Sequence, residues 1–227
     1  MNGTPLATWV GLLLALGGTT ALAFFKHDRE GPIQKARHLI TTWGGSLALL
    51  GLVLYWEQRP LSSIGIVWGN YAAWSIGALC GVLVLALSGL PMYFAKGTMP
   101  EDSLRGVQKI LATPLAFRIA AIVTAGTTEE LTFRGYPIER LHEIGCPIWL
   151  AALIPLLVFT LAHLSMWGKG HLASVAVGGG LLTGLYLWQR DLIACMIAHT
   201  LIDCMILLMP MLLKRYHAQI QARAASA

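Results

Sequence analysis

The chain has 227 residues, 56% of them hydrophobic and only 12% charged, with a mean hydropathy of +0.65. A soluble domain carries about 25% charged residues, so this chain lacks the surface that one or two soluble domains need, and it is too long for a single anchor. Sixteen Lys and Arg against eleven Asp and Glu give a net charge of +5, an excess that in an apolar chain marks cytoplasmic loops rather than a nucleic-acid partner.

A bilayer-spanning helix takes about 20 apolar residues. Seven runs with little or no charge follow one another: 6–25, 39–56, 67–94, 116–133, 148–167, 172–188 and 192–213. Trp56, Trp68, Trp149, Trp167 and Trp188 sit near run ends, as interfacial anchors do. No basic stretch precedes the first run, whose first following charge is Lys26, so it reads as a retained helix rather than a secretory signal. The third run is overlong and is expected to tilt or to bend at Gly89 or Pro91. Residues 100–115 mix charged and apolar side chains as an interfacial amphipathic helix does, with Pro114 dividing it from the fourth run. Gly178, Gly179, Gly180 and Gly184 give the sixth run a smooth face for close packing. Cys80, Cys146, Cys195 and Cys204 form no CxxC pair, and three lie in apolar runs, so they read as small buried hydrophobes.

The expected architecture is an all-α, multi-pass bundle of seven transmembrane helices around a polar cavity, in a plasma membrane of bacterial inner-membrane type. Its expected parts are N-terminal spans over 1–99, a helical core over 100–213, and a basic, flexible tail over 214–227. Segments 26–37, 95–118, 168–171 and the tail hold 12 Lys and Arg, whereas 1–5, 57–66, 134–147 and 189–191 hold 4. This bias places the N-terminus outside and the C-terminus in the cytoplasm.

Ionisable groups within spans are costly and usually face an internal cavity. Three clusters occur here. In Glu129-Glu130-Leu131-Thr132-Phe133-Arg134, Glu130 and Arg134 are spaced i,i+4 on one helix face and can pair, while Glu129 is turned about 100° away. A solvated helix end closed by Arg134 explains the same residues. Phe159 and His163 lie in a run without charge from 148 to 167; taken alone, this histidine reads as bonded to a backbone carbonyl. His199 and Asp203, again i,i+4, lie near the middle of the last run, where the aspartate can fix the imidazole tautomer. Brought together, a glutamate, two histidines and an aspartate could deprotonate a water and polarise a carbonyl.

The ordered set EExxxR, FxxxH and HxxxD resembles the CPBP family, which comprises the CAAX prenyl-protein endopeptidases of the Rce1 type and the bacterial Abi proteins. The phrase from Glu129 to Arg134, followed by Gly135 and Tyr136, is similar to the first motif of that family, and the likeness extends over 100–213. The resemblance implies a glutamic-type intramembrane endopeptidase that uses no metal and no cofactor. Its substrate would be a membrane-associated protein or peptide, prenylated or tail-anchored, cut near its C-terminus. It implies that Glu129 activates water with His163, that His199 and the residue at 203 hold the oxyanion, that Glu130 and Arg134 orient the site, and that Phe159 packs beside it. The family often has asparagine where this chain has Asp203. An ionised Asp203 cannot donate to an oxyanion, so either it is protonated and donates, or it holds His199 protonated as the sole donor; the i,i+4 spacing favours the second. The charge count also puts the 134–147 loop outside, whereas the prenyl-protein enzymes act on cytosolic substrates. Either the count of spans is off by one or the substrates are exported.

Two other readings compete. Glu129, His163, His199 and Asp203 are acceptable zinc ligands, although there is no HExxH in the chain. A non-catalytic immunity or scaffold protein, or a proton-coupled transporter, would also keep buried His and acidic residues; the chain shows no internal repeat of the transporter kind.

Overall fold

The computed structural model describes residues 5–18, 32–93, 101–164 and 172–214, and every regular element among them is helical. The end of the first apolar run, Trp167, and the tail beyond 214 lie outside the described residues. Helix α1 (Pro5–Leu12) continues as a widened π turn over Leu13–Gly18. Helix α2 (Pro32–Gly51) ends likewise at Leu52–Trp56. A 3₁₀ turn over Leu61–Ile64 leads to α3 (Tyr71–Tyr93). Then come α4 (Glu101–Leu111), α5 (Leu115–Thr124), α6 (Tyr136–Glu143), α7 (Ile148–Ala162), α8 (Leu172–Gln189) and α9 (Leu192–Asp203).

Among the described residues, four helices are long and apolar enough to cross a membrane: Ala36–Trp56, Tyr71–Leu90, Leu172–Gln189 and Leu192–Lys214. A fifth candidate, Leu115–Glu143, meets Arg105–Leu111 at a bend of 116°. Proline at 114 explains that corner, because it cannot donate into a continuing helix and pushes the residue before it away from helical geometry. Two further apolar helices among the described residues, Leu6–Gly18 and Ile148–Ala162, are shorter. The third run begins its helix only at Tyr71, because residues 67–70 are turn and coil. A larger departure concerns the fourth run. Its helix does not end in solvent at Arg134 but continues through α6 to Glu143, with the Arg134 side chain fully buried.

Lipid tails are as apolar as leucine, so helices within a bilayer associate by close packing rather than by hydrophobic transfer. Glycines supply that closeness here. A Cβ at Gly77 of α3 would meet the Ala194 carbonyl of α9 at 2.2 Å, and one at Gly81 would meet the Ala198 carbonyl at 2.8 Å. A Cβ at Gly126 would meet the Thr200 hydroxyl at 2.2 Å. Helix α9 is thereby pressed between α3 and the π turn that follows α5. Tyr136, Tyr186, Ile64, Ile138, Leu192 and Val53 form the fully buried centre of the core.

One end of the bundle is closed by a polar layer. Glu57 accepts from Tyr136 Oη at 2.8 Å and from Arg140 Nε and Nη2 at 2.9 and 2.7 Å. Arg140 also reaches the Ser63 carbonyl and hydroxyl, Arg59 pairs with Glu143, and Arg190 with Glu139. The Leu192 N–H donates to the Gly65 carbonyl at 2.6 Å, and Asp191 caps α9 by accepting from Ala194 N at 2.9 Å. Segments 57–66, 134–147 and 189–191, which the charge count places on one side, therefore meet at one end.

Replacing Gly77 by Ala should lower the thermal unfolding midpoint, because overpacking against a backbone carbonyl costs about 1–3 kcal/mol. Gly44→Ala, where a Cβ meets nothing within 4 Å, should leave the midpoint unchanged or raise it slightly. Differential scanning fluorimetry of the two purified variants in detergent makes the comparison.

Candidate active site

The helix that carries the first polar cluster is locally widened. Two π turns, Ala125–Glu129 and Leu131–Gly135, interrupt its α geometry on either side of Glu130, and such turns are frequent at functional sites. Thr128 and Thr132 hydroxyls donate back to the carbonyls of Thr124 and Thr128, which keeps these buried polar groups satisfied. At its inner face Glu130 is completely buried. Its Oε1 accepts from Arg134 Nη1 at 2.8 Å and from His199 Nδ1 at 2.7 Å.

Arg134, also completely buried, is held from three directions. Besides Glu130, its Nη2 donates to the Gly179 carbonyl at 3.3 Å, and its guanidinium lies 4.3 Å from the centre of the Phe159 ring. That ring in turn stacks edge-on against Phe133 at 5.3 Å and lies 4.4 Å from the His163 ring. Phe159 thus ties the buried ion pair to the second histidine.

Glu129 faces the other way. Its Oε2 lies 4.0 Å from His163 Nε2 and 4.0 Å from His199 Nε2, and it is buried without a hydrogen-bond partner. His163 closes the C-terminal end of α7, and its Nδ1 lies 2.8 Å from the Phe159 carbonyl. A carbonyl only accepts, so Nδ1 carries the proton and the Nε2 lone pair of the neutral ring is turned to Glu129. The Glu130 carboxylate also accepts, so His199 Nδ1 donates to it, and His199 Nε2 faces Glu129 and Asp203. Asp203 Oδ2 is 3.7 Å from that nitrogen, close enough for an ion pair but beyond a hydrogen bond. The exposure is graded: Asp203 35%, Glu129 26% and His163 16%, against 7% for His199 and none for Glu130.

The structure therefore brings Glu129, Glu130, Arg134, Phe159, His163, His199 and Asp203 into one cluster on three helices. A carboxylate oxygen and two imidazole nitrogens converge, each nitrogen 4.0 Å from Glu129 Oε2. Among the described residues, no group of three or more His, Cys, Asp and Glu is disposed to hold a metal ion. Sequence reasoning missed three contributors. The bond from His199 to Glu130 joins residues 69 positions apart, so no spacing rule finds it. Gly179 is one of three consecutive glycines and nothing distinguishes it from its neighbours. The Glu57–Arg140 pair looks like two solvated loop charges, since Glu57 directly follows the Trp56 anchor.

Comparison with protein families matches residues 111–205 to the type II CAAX prenyl endopeptidase Rce1-like family. The match takes in all three polar clusters and the α8 span between the two histidines. No curated protein and no solved structure matches the chain.

Neutralising Glu130 leaves a buried guanidinium without its counter-charge. Glu130→Gln should therefore destabilise the fold by about 3–5 kcal/mol, and Arg134→Met should have a comparable effect. The double variant should lose clearly less than the two losses added together, a coupling that reversible unfolding in bicelles measures through a double-mutant cycle.

Proposed function

We propose that this chain, whose residues 111–205 form an Rce1-like domain of the CPBP family, is an intramembrane glutamic-type endopeptidase. The observation that carries the reading is the position of Glu129 Oε2, 4.0 Å from the Nε2 atoms of both histidines and without a bond of its own. A water seated between Glu129 and His163 donates one proton to the carboxylate and the other to the His163 Nε2 lone pair. Glu129 takes the first proton as the oxygen attacks the scissile carbonyl carbon, and the carbonyl π electrons pass to its oxygen. His199, as an imidazolium, donates from Nε2 to that oxyanion while Nδ1 stays bonded to Glu130. Collapse of the intermediate breaks the C–N bond, and the leaving amine receives the proton held by Glu129. Glu130, Arg134 and Phe159 act at one remove, by fixing the two imidazoles.

Asp203 fits a supporting part better than a donating one. Its oxygen lies beside His199 Nε2 at ion-pair distance, where a carboxylate stabilises the imidazolium. We take residues 100–213 as the catalytic core, spans 1–99 as its packing partners and 214–227 as a basic tail, in a seven-helix bundle whose polar cavity holds the site. His163 lies at the far end of α7 from the 134–147 loop, about 20 Å along that helix. Access at that far end of α7 would be from the side opposite the 134–147 segment, a side that the positive-inside count makes the cytoplasm. On this reading an outside 134–147 segment and cytosolic substrates are compatible. The substrate class is the C-terminal region of a membrane-associated protein, prenylated or tail-anchored, entering from that side.

The test is cleavage of fluorogenic peptides in liposomes, with prenylated C-terminal peptides and hydrophobic anchor tails side by side. Glu129→Gln should fold and lose at least about a thousandfold in kcat/KM, and His163→Ala should lose about 10²–10⁴-fold, the range of general-base removal. Asp203→Asn should retain most activity, and a chelator should have no effect. Chelator-sensitive cleavage would replace the glutamic mechanism with a zinc one. A folded Glu129→Gln variant with undiminished cleavage would overturn the assignment of the base.

A further inference from the structure

Helix α8 carries none of the motif residues, yet it touches the deepest part of the site at one point. The Gly179 carbonyl accepts from Arg134 Nη2 at 3.3 Å and from the Thr183 hydroxyl at 2.8 Å. On the same residue, a Cβ would stand 2.9 Å from Leu156 Cδ1 and 3.0 Å from Phe159 Cδ1 and Cε1. Those separations are below ordinary van der Waals contact, and Phe159, 3% exposed, is hemmed in by the Arg134 guanidinium, Phe133 and His163. The flanking glycines behave differently: a Cβ at Gly178 or at Gly180 meets nothing within 4 Å. Of the three consecutive glycines, only the middle one faces the site.

We infer that Gly179 is a positioning residue of the active site, its bare α-carbon seating the Phe159 ring and its carbonyl holding Arg134. Phe159 occupies the space that any larger residue at 179 would take. A methyl group there pushes the ring toward the guanidinium on one side and the His163 imidazole on the other. The ring cannot yield without moving one of them, because densely packed interiors transmit displacement rather than absorb it. The span between the two histidine-bearing helices is therefore part of the site's support, and not only a neighbour in the bundle.

As a statement about catalysis this inference rests on the endopeptidase reading, so its test has one arm that does not. In that arm, histidine-labelled protein in micelles is followed by the ring nitrogen resonances of His163 and His199, assigned with His163→Gln and His199→Gln. Gly179→Ala should shift both sets of signals, while Gly178→Ala and Gly180→Ala leave them in place. Adding Leu156→Ala to Gly179→Ala gives the Phe159 ring room to move aside and should return the signals toward wild type. In the second arm, liposome cleavage, Gly179→Ala should lower kcat by about tenfold to a hundredfold, the scale of a displacement of up to an ångström, with KM within about twofold. Leu156→Ala should again restore most of the loss. Unmoved histidine signals in Gly179→Ala, or equal shifts in Gly178→Ala, would overturn the proposal. If wild type cleaves no peptide, the endopeptidase reading fails, while the resonances still decide the role of Gly179.

Discussion

A single carboxylate oxygen organises this molecule. Glu130 Oε1 accepts simultaneously from a guanidinium on its own helix and from an imidazole on α9. Burying the two full charges is unfavourable unless each finds bonds of good geometry, and the neighbouring helices are arranged to supply them. Arg134 needs a further acceptor and a face to lie on. It takes the first from the α8 backbone at Gly179 and the second from the Phe159 ring of α7. Four helices are thereby set relative to one another by the requirements of one ion pair. In an apolar bundle, where lipid competes on equal terms for every leucine, such a pair contributes register more than net stability.

The polar layer at the end of the bundle complements this. Glu57 and Arg140 are as completely buried as Glu130 and Arg134, and Arg140 is six residues further along the helix that carries the site. That helix is therefore fixed at two heights by two buried ion pairs, one in the middle of the bundle and one near its rim. Between them lie Gly135 and Tyr136, where the chain passes against Ile64 and Leu192 and the tyrosine hydroxyl bonds Glu57. A helix widened by two π turns has weaker internal geometry than a regular one, and being held at both heights compensates for this. The turns can then present Glu129 and Glu130 to different neighbours without the helix rotating.

How far a sequence reveals such a site depends on whether the signal is local. Glu130 and Arg134 are four residues apart, and their pairing follows from helix geometry alone. His163, His199 and Asp203 stand out because the surrounding residues are apolar, so the cost of placing them there is itself the signal. The closeness of α3 to α9 is less visible. Gly77 and Gly81 sit in a helix that is apolar on every side, and where lipid and protein are equally apolar no hydrophobic face marks the interface. The π turns leave no periodic trace at all. Gly179 is concealed by Gly178 and Gly180, since three consecutive glycines cover most of the helix circumference and only the packing of α7 decides which one is used. The grouping of segments 57–66, 134–147 and 189–191 at one end needed only the alternation of apolar runs to be anticipated.

The geometry around His199 separates two tasks that the i,i+4 spacing alone would assign to one residue. In the sequence, Asp203 is the natural orienting partner of His199. In the structure, the short bond is made by Glu130 to Nδ1, while Asp203 stands 3.7 Å from Nε2. Orientation therefore comes from a completely buried carboxylate that is itself immobilised by Arg134. Asp203, at 35% exposure, is left as a nearby charge on the open side. This division bears on what an asparagine in place of Asp203 would change. A residue that set the imidazole tautomer could not lose its charge without consequence. One that only adjoins Nε2 can, because Glu130 continues to hold the ring in place.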